Sequence, residues 1–206
     1  MEVLVALTIV VLVVAFAWPA LASLRERLND AKCVASLRAT GQAILAHATD
    51  HNGQSVLAYY DPSRSSIPDQ GEYWHQRLRR EGYLDASRKN LVCPSFRPHR
   101  YDTANSSAGM YTYGLRKEGY APAVSLANVE KPASYILLAD SYAPSTDSQF
   151  YYIGWPGAGN AQKFHLRHAG KANIFFADGS VRPLSADEIL ALNDGWDRKT
   201  VNPIKK

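Results

Sequence analysis

The chain has 206 residues, with 23 Lys and Arg against 19 Asp and Glu, giving a formal net charge of +4. The positive residues are scattered rather than gathered into one block, which argues against nucleic acid as a partner. Beyond an apolar N-terminal segment, enough chain remains for one globular domain with its own core, and no internal repeat is visible.

The first element is "MEVLVALTIVVLVVAFAWPALASLRERLND". From Val3 to Ala22, Thr8 is the sole polar side chain, and no charge follows Glu2 until Arg25. About 20 such positions suffice for an α-helix to cross a hydrocarbon core of ~30 Å. A carboxylate in or beside such a span costs about 2.5–3.5 kcal/mol on insertion scales. Glu2 is therefore read either as a functional group or as an anion at the helix start, where the dipole favours it. A secretory signal would show a basic lead and a small-residue cut site; neither is present, so a retained single-pass anchor is expected. From Ala20 to His51 there is no Pro, and only Gly41 interrupts a run rich in Ala, Leu, Arg and Gln. Leu21, Leu24, Leu28, Ala31 and Ala35 recur at helical steps, as do Leu37, Gly41, Ile44, Leu45 and Ala48. The spacing predicts one helix from Glu2 to about Asn52, closed by Gly53 and kinked at Pro19, which has no amide hydrogen. Residues 1–24 are expected to be transmembrane, 25–53 to be amphipathic and packed on a sheet, and 54–206 to form the globular domain.

Downstream, "SVLAYY" reads as a short strand or extended segment, followed by a Pro/Ser-rich loop. "EYWHQRLRREGYL" suits a short helix ending at Gly82, while "MYTYGLR" and "SYILLADSY" are strand-like. "PASYILLADS" lacks alternation, as a central strand buried on both faces does. "YYIGWPGAGNAQ" is a loop after a strand, and its glycines lack the strand–turn–helix context of a nucleotide cradle. "ANIFFADGSVRPL" gives two strands joined by Asp178-Gly179, a favoured hairpin turn. Ser185 and Glu188 form a capping box for a last helix. The expected fold class is α+β, a long N-terminal membrane helix laid across a small antiparallel sheet.

The opening run resembles the N-terminus of a mature type IV pilin or type II secretion pseudopilin. There an apolar helix holds one glutamate near its start and a proline about two-thirds along, features that fall here on Glu2 and Pro19. "CVASLRATGQAILAHATDHNG", "LVCPSF", "KPASYILLADS" and "RHAGKANIFFADGSV" are similar, in order, to the blocks of a large bacterial pilin-like family. The last block is its processing-associated H-X9-DG signature, matched by His168, Asp178 and Gly179. The chain departs at Ser36, where that family has Asn, and lacks the Gly-Phe-Thr-Leu that precedes the glutamate. Met1 is accordingly expected to lie inside a longer prepilin.

The resemblance implies a filament subunit rather than an enzyme, a homo- or hetero-oligomer with other pilin-like subunits that engages pilus or secretion machinery. It implies a prepilin peptidase if the start lies upstream, and an extracytoplasmic head on a helix held in the inner membrane. It also implies that Glu2 compensates a neighbour's N-terminal amine. The alternative is a membrane-tethered extracytoplasmic binding module whose aromatic residues Tyr151, Tyr152 and Trp155 hold a ligand. An anchored hydrolase ranks last, because no Gly-x-Ser-x-Gly elbow is present.

In that topology oxidation is permitted. A Cys33–Cys93 bridge would close a loop of about 60 residues and contribute up to ~4 kcal/mol. Two separately buried thiols are the plainer alternative, and the bridge is preferred. No second Cys is near either one in sequence, so a zinc knuckle is not expected. His47 and His51 stand at i, i+4 beside Asp50, a spacing able to hold a metal. Ala48 occupies the position where a metalloprotease has glutamate, and histidines in a last helical turn are favoured by the dipole alone. His168 with Asp140 and Asp178 is read as a structural hydrogen-bond cluster. Asp140, Asp147 and Asp178 are possible calcium ligands without the spacing of a calcium loop; no cofactor is otherwise expected.

Overall fold

One helix, α1 (Glu2–Asp50), runs unbroken for 49 residues, roughly 74 Å at 1.5 Å per residue. The computed structural model describes residues 2–60, 72–85, 88–96, 112–117, 124–154, 162–198 and 200–202. Strong helix formers fill the second half of α1. It closes at Asn52 and Gly53, both at positive φ, where Gly53 N–H donates to Ala48 O at 2.7 Å.

Ten short strands follow among the described residues: β1 Tyr59–Tyr60, β2 Glu72–Tyr73, β3 Gly114–Arg116, β4 Ile136–Ala139, β5 Ser141–Tyr142, β6 Tyr152–Ile153, β7 Lys163–His165, β8 Ala172–Phe176, β9 Val181–Leu184 and β10 Val201–Asn202. Helices α2 (Trp74–Arg80) and α3 (Ala186–Ala191) complete the α+β architecture. The main sheet has the order β6-β3-β4-β8-β9. A three-stranded sheet, β10-β7-β5, and a β1-β2 pair stand beside it. The sheet is not wholly antiparallel, since β3 pairs with β6 and β10 with β7 in parallel.

The main sheet is covered on both faces. Cys33, Leu37 and Ile44 of α1 pack with Leu137, Leu138 and Phe175 on one side. Ile136, Ala139, Ile174 and Phe176 pack with Phe164, Ile189 and Trp196 on the other. The alternation in β4 breaks at Leu137–Leu138, where the register with β8 shifts. That shift carries the strand past its own doublet and returns Asp140 to the α1 side. Gly41 lets α1 lie close on β8, because a Cβ there would fall 2.4 Å from the Phe175 ring.

Two expectations are corrected here. Among the described residues no helix is long and apolar enough to cross a membrane. The transmembrane reading of residues 1–24, and with it the single-pass inner-membrane placement, is therefore overturned. The amphipathic section also starts later than residue 25. Leu24, Leu28, Ala31 and Ala35 are exposed, and continuous packing on the head begins around Asn29–Cys33. The side chains of Glu2 and Pro19 lie outside the described residues, although the backbone at both is helical.

Candidate functional site

Two features of α1 stand apart from ordinary core and surface. The first is its N-terminal section, where Val3, Leu7, Ile9, Val11, Leu12, Val13, Val14, Phe16, Trp18, Leu21, Leu24 and Leu28 are all more than half exposed. Phe16 at 77% and Trp18 at 74% are the extremes. Monomeric folds rarely leave so much contiguous apolar surface uncovered, and such patches mark interaction sites.

The second lies where α1 first meets the head. Cys33 comes from α1, Cys93 from the segment after a 3-10 turn at Arg88–Leu91, and Asp140 from the residue after β4. His168 comes from a tight turn before β8. That turn is fixed by reciprocal bonds between His168 and Lys171, each 3.0 Å, with Ala169 and Gly170 both at positive φ, as a type I′ turn requires. All four side chains are buried, and their ligating atoms lie within 4.8 Å of one another. His168 Nε2 is 3.1 Å from Asp140 Oδ2 and 3.4 Å from Cys93 Sγ. Cys33 Sγ is 3.6 Å from Asp140 Oδ1 and receives the Tyr113 hydroxyl at 3.5 Å.

Four further side chains or amides hold these groups in place. His168 Nδ1 lies 2.6 Å from Asp30 Oδ1, and Asp30 is one turn before Cys33 on the same helix. Asp140 Oδ2 accepts the Asn173 amide at 2.9 Å, and the Cys93 amide donates to Gln149 Oε1 at 2.9 Å. Arg167 Nη1, on a side chain only 2% exposed, stands 3.6 Å from Asp140 Oδ1.

The charges follow from this packing. Burial raises the carboxyl of Asp140, but Arg167 and His168 outweigh it and hold the group below its usual range. Burial disfavours the His168 cation, yet hydrogen bonds to Asp140 and Cys93 lift its pKa to about 11. Burial pushes the Cys33 thiol well up. The Cys93 thiol, raised by burial but lowered more by Cys33, His168 and Arg167, comes to about 6. Cys93, His168 and Asp30 thus imitate a nucleophile–base–carboxylate array, but Cys93 and Cys33 are both 0% exposed, which leaves no opening for an acyl substrate.

The sequence-derived assignments redistribute as follows. Cys33 and Cys93 do come together, but as free thiols, not as the expected bridge. His168 and Asp140 meet as expected, whereas Asp178 does not join them. Its carboxylate accepts the Ser180 amide at 2.9 Å and hydroxyl at 2.7 Å within its own turn. Gly179, φ 85, closes a three-residue hairpin there. Among the described residues no group of three or more potential ligands includes Asp147 or Asp178, so the calcium reading gains no shared site. His47 and His51 stack at 3.9 Å and share Glu81 rather than Asp50, with Nε2–Oε2 distances of 3.2 and 3.9 Å. Asp50 instead accepts the Tyr83 hydroxyl. Tyr151 and Tyr152 are half-buried among Phe150 and Tyr73, and Trp155 lies outside the described residues. Asp30, Arg167 and Tyr113 were not signalled by the sequence; the i, i+3 relation of Asp30 to Cys33 was the one local cue. Comparison with family models, with curated proteins and with solved structures gives no match for this chain.

Proposed function

We propose that the chain is a structural subunit of a pilus-like or pseudopilus filament, assembled through the N-terminal section of α1 against the same section of other copies. The observation that supports it most is the stripe of exposed large apolar side chains from Val3 to Leu28 on a helix whose second half is fixed in a folded head. Burying each such side chain contributes about 1.5–3 kcal/mol, so side-by-side helices gain stability that grows with copy number. The reading brings with it other pilin-like subunits and an assembly machinery as partners. It also gives Glu2 the role of compensating a neighbour's amine, where loss of one partner of a buried pair costs about 3–5 kcal/mol.

Electron micrographs and sedimentation of the full chain test this. Filaments or ordered oligomers are expected, and Phe16→Asp with Trp18→Asp should abolish them while leaving the head folded, because packing on the head starts about ten residues later. A wild-type chain that stays a monodisperse monomer contradicts the reading.

A further inference from the structure

We propose that Cys33, Cys93, Asp140 and His168 form a structural zinc(II) site that fastens the root of the α1 stalk to the head. Zinc takes thiolate, imidazole and carboxylate ligands at about 2.0–2.3 Å in a tetrahedron, which sets ligand–ligand edges at roughly 3.3–3.8 Å. With Asp140 Oδ2 as the carboxylate corner, the edges here are 3.1 Å to His168 Nε2, 3.9 Å to Cys33 Sγ, and 3.4 Å from His168 Nε2 to Cys93 Sγ. Both sulfurs fall within the same 4.8 Å cluster. Three of the six edges thus lie within a few tenths of an ångström of those of a zinc tetrahedron, and the remaining three lie within 4.8 Å.

The surroundings match as well. His168 turns Nε2 inward and presents Nδ1 to Asp30 at 2.6 Å, the carboxylate–histidine arrangement that fixes tautomer and ring orientation around zinc. Tyr113 donates towards the Cys33 sulfur, and the Asn173 amide holds Asp140. Two thiolates, one carboxylate and a divalent ion leave one negative charge. Arg167 offsets it; its side chain is almost wholly buried, and Nε and Nη1 have no hydrogen-bond partner. Soft sulfur with imidazole favours zinc over the hard cations. Four protein ligands leave no open position, so the site is structural, not catalytic. Asp30, 46% exposed at its side chain, marks the side from which the ion enters. Ligation displaces protons from the thiols, and the ion joins α1, the Cys93 segment, β4 and the β8 turn, four pieces distant in sequence.

The test uses the full chain, reduced and metal-free, titrated with cobalt(II) as a spectroscopic probe and then zinc(II). One cobalt per chain should appear with intense tetrahedral d–d bands and a thiolate-to-cobalt charge-transfer band, both removed by stoichiometric zinc. Cys93→Ser, which leaves one thiolate, should roughly halve the charge-transfer intensity. Asp30→Asn, which removes no ligand, should weaken zinc binding about 10–100-fold. Because a Cys variant can fail to fold, the wild type supplies its own control: a chelator should lower its Tm, and zinc should restore it. Absence of the charge-transfer band in the wild type overturns the proposal. So does an unchanged band in Cys33→Ala/Cys93→Ala, or cobalt held without sulfur at His47, His51 and Glu81. A native Cys33–Cys93 disulfide that takes up no metal after mild reduction overturns it too.

Discussion

At Gly41, helix propensity and packing pull in opposite directions. Alanine there would favour the helix by about 1 kcal/mol, but its Cβ would meet the Phe175 ring at 2.4 Å. Phe175 is fully buried between α1 and the sheet, so it has nowhere to go, and overpacking of this kind costs about 1–3 kcal/mol. Gly41→Ala is expected to lower the denaturation midpoint; a raised midpoint would show that α1 can lift away from β8. A pH dependence follows from His165. Burial first, and the Arg167 charge second, hold its pKa at about 3, with the ring stacked on Tyr142 at 4.8 Å. His47 is lowered as well, by burial and then His51. Both folded values lie below the unfolded value of about 6.5, so the unfolded chain binds more protons at acid pH. The contribution of these two histidines is full above pH 6.5 and falls as pH drops toward 3, by about 1.4 kcal/mol per pH unit for each proton taken up. His165→Gln should flatten that slope in chemical denaturation between pH 6.5 and 4, and an equally steep profile would contradict the assignment. Single residues were legible in the sequence as types: Cys33, Cys93, Asp140 and His168 were all singled out there. Their convergence was not, since it depends on a strand register shift and a turn. Arg167 and Asp30 look like ordinary surface charges until the chain folds around them.

Among the elements, α1 and α3 carried the clearest signals because local chemistry specifies them. The capping box forms as spelled by Ser185 and Glu188: the Ser185 amide donates to Glu188 Oε2 at 2.7 Å, and the Glu188 amide to Ser185 Oγ at 3.3 Å. Ser185→Ala should cost about 1 kcal/mol, read as a lower Tm, and Ser185→Asp should retain most of the cap; equal stability of all three would show that Ile189, buried beneath, fixes α3 alone. The unalternating run of β4 is central and buried on both faces, as continuous apolar strands are. Strands β7 and β10 left no readable pattern. They are three and two residues long, and their parallel pairing joins Phe164 to Val201, a contact that no local propensity encodes. The apolar N-terminal stretch was legible as a helix but not in its setting. Apolarity is equally a signal for lipid and for other helices.

For the whole molecule, the architecture separates two tasks along one helix. Residues after about Asn29 are committed to the head through Cys33, Leu37 and Ile44, and those before it present apolar side chains outward. The junction is the Cys–Asp–His centre, so its rigidity sets how the stalk is aimed relative to the sheet. In the filament proposed above, a stalk that wavered at this point would place successive heads irregularly; one fixed by a buried ligand set would repeat. The central claim is that the exposed stripe of α1 is an α1-to-α1 interface between copies. The most direct measurement places a photoreactive benzoyl-phenylalanine at Phe16 in the full chain and maps the cross-linked peptides by mass spectrometry after irradiation of the assembled sample. The account predicts covalent dimers joining position 16 to the N-terminal half of another copy's α1. Cross-links confined to the chain's own head, or none above the level of a monomer control, would contradict it.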